Sequence, residues 1–196
     1  MKIRLLLYKA KQDGKWLDNA ISAYTRLFNW KTPPYSHAEI WLPNEAGNFF
    51  GKMGLDETHS LSVYPVYQGT SYTSTLGQVR GKNSVAQSGS CKRDANQVLK
   101  HADRWDYIDI EVHDLLYQNA LTWADCVVAD NKGYDLKAVW SFFLPWKIHD
   151  DDKYICSEFC ACFLRICGID VPSIIPSPRR LARDFVRGGY KIRSLV

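Results

Sequence analysis

An α+β fold is predicted, built as a small, mainly antiparallel sheet packed against helices. Three observations predict it. Segments of strand character, rich in β-branched and aromatic residues, gather before residue 113, and most segments of helical spacing follow it. Neither an internal repeat nor a low-complexity run interrupts them. Hydrophobic residues make up 46% of the chain and charged ones 23%, the balance of a globular protein, and 13% aromatic content argues against disorder. At roughly 100–200 residues per domain, the 196 residues read as one domain, 1–196, long enough to bury a single sizeable core.

The first strand covers residues 2–9, and Gly14 breaks the chain after it. Trp16, Leu17, Ala20, Ile21, Tyr24, Leu27 and Phe28 recur at helical spacing, which predicts an amphipathic helix over 15–29 that Pro33 and Pro34 end. Residues 35–42 read as a strand and 43–48 as a turn, with 49–53 pairing back as a hairpin partner. Residues 61–67 form a further strand, an edge one because Pro65 has no N–H for a ladder. Short extended pieces follow at 71–75 and 78–80, and the polar stretch 82–96 reads as loop. Trp105 to Val112 alternates as a strand, and Asp114 caps a helix of about 115–129. Gly133-Tyr134-Asp135 opens a helix over 136–143 that stops at Pro145. Residues 154–167 are apolar almost all round, so this helix is buried, with Gly168 as its C′ residue. Ser177 and Pro178 start a last short helix, 179–186, closed by Gly188 and Gly189, and 190–192 form a final strand or tail.

The formal net charge is +4, with the cations scattered. Lys92-Arg93 and Arg179-Arg180 are local concentrations that read as solvated surface, so no nucleic-acid partner is expected. No stretch reaches the roughly 18 apolar residues of a membrane span. The N-terminal apolar run is too short for a secretion signal. The expected location is therefore the cytoplasm.

Four of the six cysteines, Cys156, Cys160, Cys162 and Cys167, crowd into twelve residues. With no export signal, disulfides are not expected. Cys156 and Cys160 loosely match a zinc-ligand spacing, but no second pair follows. For Cys160, Cys162 and Cys167 the reading is a buried, small apolar side chain.

Cys156 differs from these because it falls in the first turn of its helix. Cysteine attacks as thiolate, and its pKa falls at a helix N-terminus or beside a His. The N–H groups of that turn also suit the oxyanion of a tetrahedral intermediate. Such a nucleophile needs a base, usually a His remote in sequence. His37 sits in a strand with Glu39 two residues on, so both side chains leave on one face. His59 lies in a polar loop, His101 and His113 have charged surroundings, and His149 adjoins a run of three Asp residues. His37 is the candidate base.

Ser36-His37-Ala38-Glu39-Ile40, followed far downstream by Tyr154-Ile155-Cys156-Ser157-Glu158-Phe159, resembles the circularly permuted, NlpC-like branch of the papain superfamily. In that branch the His strand precedes the Cys helix. It includes YiiX-like amidases or peptidases, lecithin retinol acyltransferase relatives and many phage-encoded proteins. Tyr72-Thr73-Ser74, Gly77-Gln78-Val79-Arg80, Trp105-Asp106, Gly133-Tyr134-Asp135-Leu136, and Ser177-Pro178 with Leu181-Ala182 also look like the phage type, in order along the chain.

The resemblance implies a permuted papain-like (NlpC-like) fold with Cys156 as nucleophile and His37 as base and later acid. The family's third member, a polar residue that orients the imidazole, falls by motif position near Thr73. Glu39 is the alternative, with a solvated strand residue or a salt-bridge partner as its plain reading. Tyr35 and Tyr154 are read as core residues near the cleft. The implied activity is hydrolysis or acyl transfer at an amide, ester or thioester. No metal or organic cofactor is required. The implied substrates are a peptide, a peptidoglycan fragment or an acyl lipid. Two rival readings stand beside this one: a catalytically inactive, phage-type binding module aimed at a host protein, and a zinc site in the cysteine cluster.

Overall fold

β1 (Lys2–Lys9) carries Ile3, Leu5 and Leu7 into the main core and Leu6 into a second apolar cluster on its other face. A strand covered on both faces reads as a continuous apolar run, as here, instead of an alternation. β1 lies inside a six-stranded sheet. β2 (Tyr35–Pro43) flanks it on one side and β7 (Trp105–Glu111) on the other. β5 (Gly69–Leu76) pairs with β2, β6 (Ser88–Asp94) with β5, and β8 (Arg193–Ser194) with β7. The order is β6-β5-β2-β1-β7-β8, and every pairing is antiparallel.

This computed structural model describes residues 1–9, 33–43, 50–55, 61–76, 88–140, 150 and 152–196. The expected helix at 15–29, most of the turn at 43–48, the piece at 78–80, and residues His59 and His149 lie outside the described residues.

The antiparallel sheet with helices against it is the predicted α+β class, but two strand expectations need correction. β3 (Phe50–Leu55) pairs with β4 (Leu61–Val66) in a separate two-stranded ribbon, and not with β2. The other edge of β2 is taken by β5. In β4, Pro65 lies opposite Gly51, on a ribbon where both strands are edges. The expected loop at 82–96 instead contains β6 and the start of a helix. Its polar sequence conceals a strand because its backbone pairs with β5 along its length, from Thr70↔Asp94 to Leu76↔Ser88. Gly89 is required in it: φ is +117°, and a Cβ there would lie 2.3 Å from the Lys132 carbonyl oxygen.

α1 (Ala95–Val98) is capped by Asp94, whose carboxylate accepts from Asn96 N–H, and runs into a 3₁₀ turn (Leu99–Arg104). α2 (Asp114–Ala129) is capped by His113, whose side chain accepts from Leu115 N–H at 3.3 Å. Asp114 was the expected cap; it stands one position inside and pairs with the N-terminal ammonium at 2.7 Å. α3 (Leu136–Trp140) follows, with the Asp135 carboxylate accepting from Ala138 N–H at 2.9 Å. α4 (Cys156–Ile166) and α5 (Pro178–Arg187) complete the helices, α5 with Ser177 as cap and Pro178 in its first turn. Gly168, at φ +80°, ends α4 as expected. The chain end pairs at 193–194, just after the expected 190–192.

Phe159, Phe163 and Leu164 of α4, with Leu181 and Ala182 of α5, pack on Ala38, Ile40 and Leu42 of β2 and on Ile108 of β7. Truncating a fully buried aromatic such as Phe159 costs about 3–5 kcal/mol, so this packing fixes α4 on the sheet. Among the described residues, no helix is long and apolar enough to cross a membrane.

Candidate active site

The site begins where two strands part. The β2–β5 ladder runs from Pro43↔Gly69 to Ile40↔Tyr72 and stops. β2 continues alone against β1 through His37, and β5 continues against β6 through Leu76. The polar groups at this gap find other partners. Thr73 Oγ1 donates to the Ala38 carbonyl at 2.9 Å, and Ser74 Oγ donates to the Tyr154 carbonyl at 2.7 Å. On β2, the register steps from Tyr8↔His37 to Lys9↔Tyr35, which leaves Ser36 as the extra residue of a bulge just before His37. Bulges of this kind re-aim side chains.

The N-terminus of α4 meets this gap. A parallel bridge, Tyr134↔Tyr154, ties down the segment before the helix through Tyr154 N–H to the Gly133 carbonyl and Asp135 N–H to the Tyr154 carbonyl, both 3.2 Å. Gly133-Tyr134-Asp135 therefore positions the cysteine helix as well as opening its own. Ser157 Oγ holds the Pro176 carbonyl at 2.5 Å. The Glu158 carboxylate accepts from Ile155 N–H at 3.4 Å, half of a capping box, since Ile155 has no side-chain acceptor to return the bond. Cys156 is the first residue of the helix, where backbone N–H groups have no intrahelical acceptor.

Cys156 and His37 adjoin each other closely enough that each shifts the other's titration. His37 Nε2 lies 3.1 Å from Glu39 Oε1 and 3.4 Å from Thr73 Oγ1. Thr73 gives its own proton to Ala38, so both oxygens accept from Nε2–H, and Nδ1 is left for the thiol. Burial by itself pushes the Cys156 thiol up. The charge and hydrogen bond of His37, then the backbone N–H groups of Ala38 and Ser157, outweigh it and bring the thiol below its ordinary range. For His37 burial works downward, but the Cys156 thiolate and then the Glu39 carboxylate raise the imidazole to about 10. The two shifts run in opposite directions, and each favours a thiolate facing an imidazolium. Cys156 is 3% exposed, while the His37 side chain keeps 22% of its surface open beside Trp105.

All four sequence candidates, Cys156, His37, Glu39 and Thr73, meet here. Glu39 is the nearer of the two groups on Nε2. Its reading as a solvated strand residue is corrected, because its side chain is 1% exposed. It accepts from Ser71 Oγ at 2.5 Å and pairs with Arg93. Burial raises the Glu39 carboxyl, but Arg93, then His37 and Ser71, hold it below its usual range. Arg93 was read as solvated surface; it points inward from β6 to a covered carboxylate. Sequence reasoning missed both Arg93 and Ser71. The signal available was a step of two in neighbouring strands, Ser71-x-Thr73 and Cys91-x-Arg93, which the register aligns as Ser71↔Arg93 and Thr73↔Cys91.

The remaining candidates have other tasks. Tyr35 is fully buried and donates from its hydroxyl to Asp106 at 2.8 Å. Tyr154 packs its ring against Trp123 and Phe159. His101 and His113 are exposed. Cys160 and Cys167 sit in the main core, and among the described residues no group of three or more His, Cys, Asp or Glu converges as a metal site requires. Comparison of the chain with protein-family models, curated proteins and solved structures found no match.

Proposed function

We propose that this chain is a cysteine-dependent hydrolase or acyltransferase acting on an amide, ester or thioester. One observation carries the reading: a Cys156–His37 pair at a helix N-terminus, with the imidazole held from behind by a buried carboxylate. In the proposed reaction the Cys156 thiolate adds to the carbonyl carbon. First-turn N–H groups of α4 stabilise the oxyanion. His37 gives its Nδ1 proton to the leaving nitrogen, oxygen or sulfur, and an acyl-thioester remains on Cys156. His37 then takes a proton from water, or from another acceptor, as that molecule attacks and releases the acyl group. The order of the elements, a His strand before a Cys helix, supports a permuted papain-like (NlpC-like) relationship. The substrates in view are a peptide, a peptidoglycan fragment or an acyl lipid. We place the activity in the cytoplasm, that of the host cell if the protein is phage-encoded.

A screen of amide, ester and thioester substrates, paired with an electrophilic acyl probe, tests this. Turnover by the natural chain and none by Cys156→Ala is the expected result. Wild-type rates in Cys156→Ser would overturn thiol chemistry. The second reading, a non-catalytic module that binds a host protein, draws on the near-complete cover of the sulfur. No turnover in the screen, with Cys156 unlabelled by small probes in the folded protein, would favour it.

A further inference from the structure

The Cys156–His37 pair does not stand alone. Behind it lies Glu39, and behind Glu39 lies Arg93. Four groups thus alternate in sign across a covered site. We propose that Arg93 is a positioning residue of this site: its guanidinium keeps the Glu39 carboxylate ionised and seated on His37 Nε2, so that Cys156 and His37 rest as thiolate and imidazolium. The proposal rests on the Cys–His reading above.

Charge balance is the argument. A buried carboxylate without a partner takes up a proton, whereas an arginine keeps its charge under all ordinary conditions. Glu39 is faced by His37 from its own strand and by Ser71 and Thr73 from β5. Cys91 and Arg93 face it from β6, Cys160 of α4 lies within reach of its charge, and Cys156 of α4 stands against His37. Across β1, the residue opposite is the uncharged Leu6. With Cys156 as thiolate, Glu39 as carboxylate, and His37 and Arg93 as cations, the four charges sum to zero. Removing Arg93 leaves −1. A covered site relieves that by taking one proton from water. On Cys156 this proton removes the nucleophile; on Glu39 it weakens the grip on the imidazole. Either way, the thiolate forms only at higher pH.

The test reads the sulfur directly and needs no substrate. Iodoacetamide alkylation of Cys156 is followed against pH by mass spectrometry, with the exposed Cys126 as internal reference. Arg93→Gln is expected to move the acid limb of Cys156 reactivity upward by about 1–3 pH units, while Arg93→Lys, which keeps the charge, stays close to the natural chain. An unmoved limb in Arg93→Gln overturns the role of Arg93 and leaves the Cys–His pair standing. A natural chain whose Cys156 shows no limb below the ordinary thiol range overturns the reading beneath it instead. Should Arg93→Gln fail to fold, Glu39→Gln and Glu39→Gln/Arg93→Gln carry the test. Action through Glu39 requires their limbs to coincide within about half a pH unit, and a further upward move in the double variant overturns it.

Discussion

Cys156 and Cys160 occupy one helix, one turn apart, and both are buried, at 3% and 0% exposure. Burial pushes both thiols upward. The outcomes are opposite. Cys156 ends below the ordinary range, because it faces an imidazole and two backbone N–H groups. Cys160 ends well above it: after burial, its largest influences are the negative charges of Cys156 and Glu39. Cys162 and Cys167 also move up, and Cys167 is pushed to about 11. Neither residue type, burial nor membership of a helix decides which way a thiol shifts. The neighbours brought to its own position do, and here the imidazole comes from a strand more than a hundred residues earlier.

The sharpest way to break this contrast is to remove the imidazole. His37→Ala is expected to cut turnover by about 10²–10⁴-fold, the usual worth of a positioned general acid–base. It should also return Cys156 to the company of Cys160, a thiol raised by burial. Loss of the preferential alkylation of Cys156 near pH 7 would show this. A Cys156 in His37→Ala that reacts as in the natural chain would mean that the helix terminus alone activates the sulfur.

A second effect concerns pH. Cys156 must lose its proton, and it does so below the ordinary thiol range; His37 must keep one, and it loses it at about 10. The rate therefore rises with pH through the acid limb of Cys156 and falls again near 10. The kcat/KM profile against pH measures both limbs. A profile that climbs only through the ordinary thiol range and has no alkaline fall would deny the ion pair.

A third and smaller effect belongs to Glu39. Glu39→Gln keeps an acceptor on Nε2 and removes the charge behind the imidazolium. A charge-assisted hydrogen bond is worth about 1.5–3 kcal/mol, which corresponds to a loss of roughly 10–100-fold in kcat/KM. Thr73→Val gives up the 3.4 Å contact to Nε2 and the hydroxyl's bond to the Ala38 carbonyl but no charge, and should cost less in kcat/KM.

The pair at the centre of these effects was legible in the sequence. A first-turn cysteine and a strand histidine obey local rules, and so do the strands at Lys2–Lys9, Tyr35–Pro43 and Trp105–Glu111. β6 was not legible, because Ser88, Ser90, Lys92 and Arg93 imitate a solvated loop. In this strand the buried or half-buried polar residues are held by register and, for Arg93, by a carboxylate on another strand, neither of which leaves a hydrophobic pattern. The same cause hid Ser71. Likewise the true partner of β2 could not be chosen locally, because residues 49–53 satisfy a hairpin rule and still pair elsewhere. The polar back of the site was the hardest part to read because tertiary pairing alone creates it.

The smallest expected effect completes the contrast from its other side. Cys160→Ala removes one heavy atom from a filled core beside Phe159, Phe163 and Leu164. The loss of stability should be about 1 kcal/mol, read as a lower midpoint in urea at unchanged slope. As a neutral thiol, Cys160 contributes packing to the site and no charge, so the pH limb of Cys156 alkylation should stay where it is. A limb that moves with this substitution would mean that the two sulfurs titrate together, and that the division between a reactive turn and an inert one does not hold along this helix.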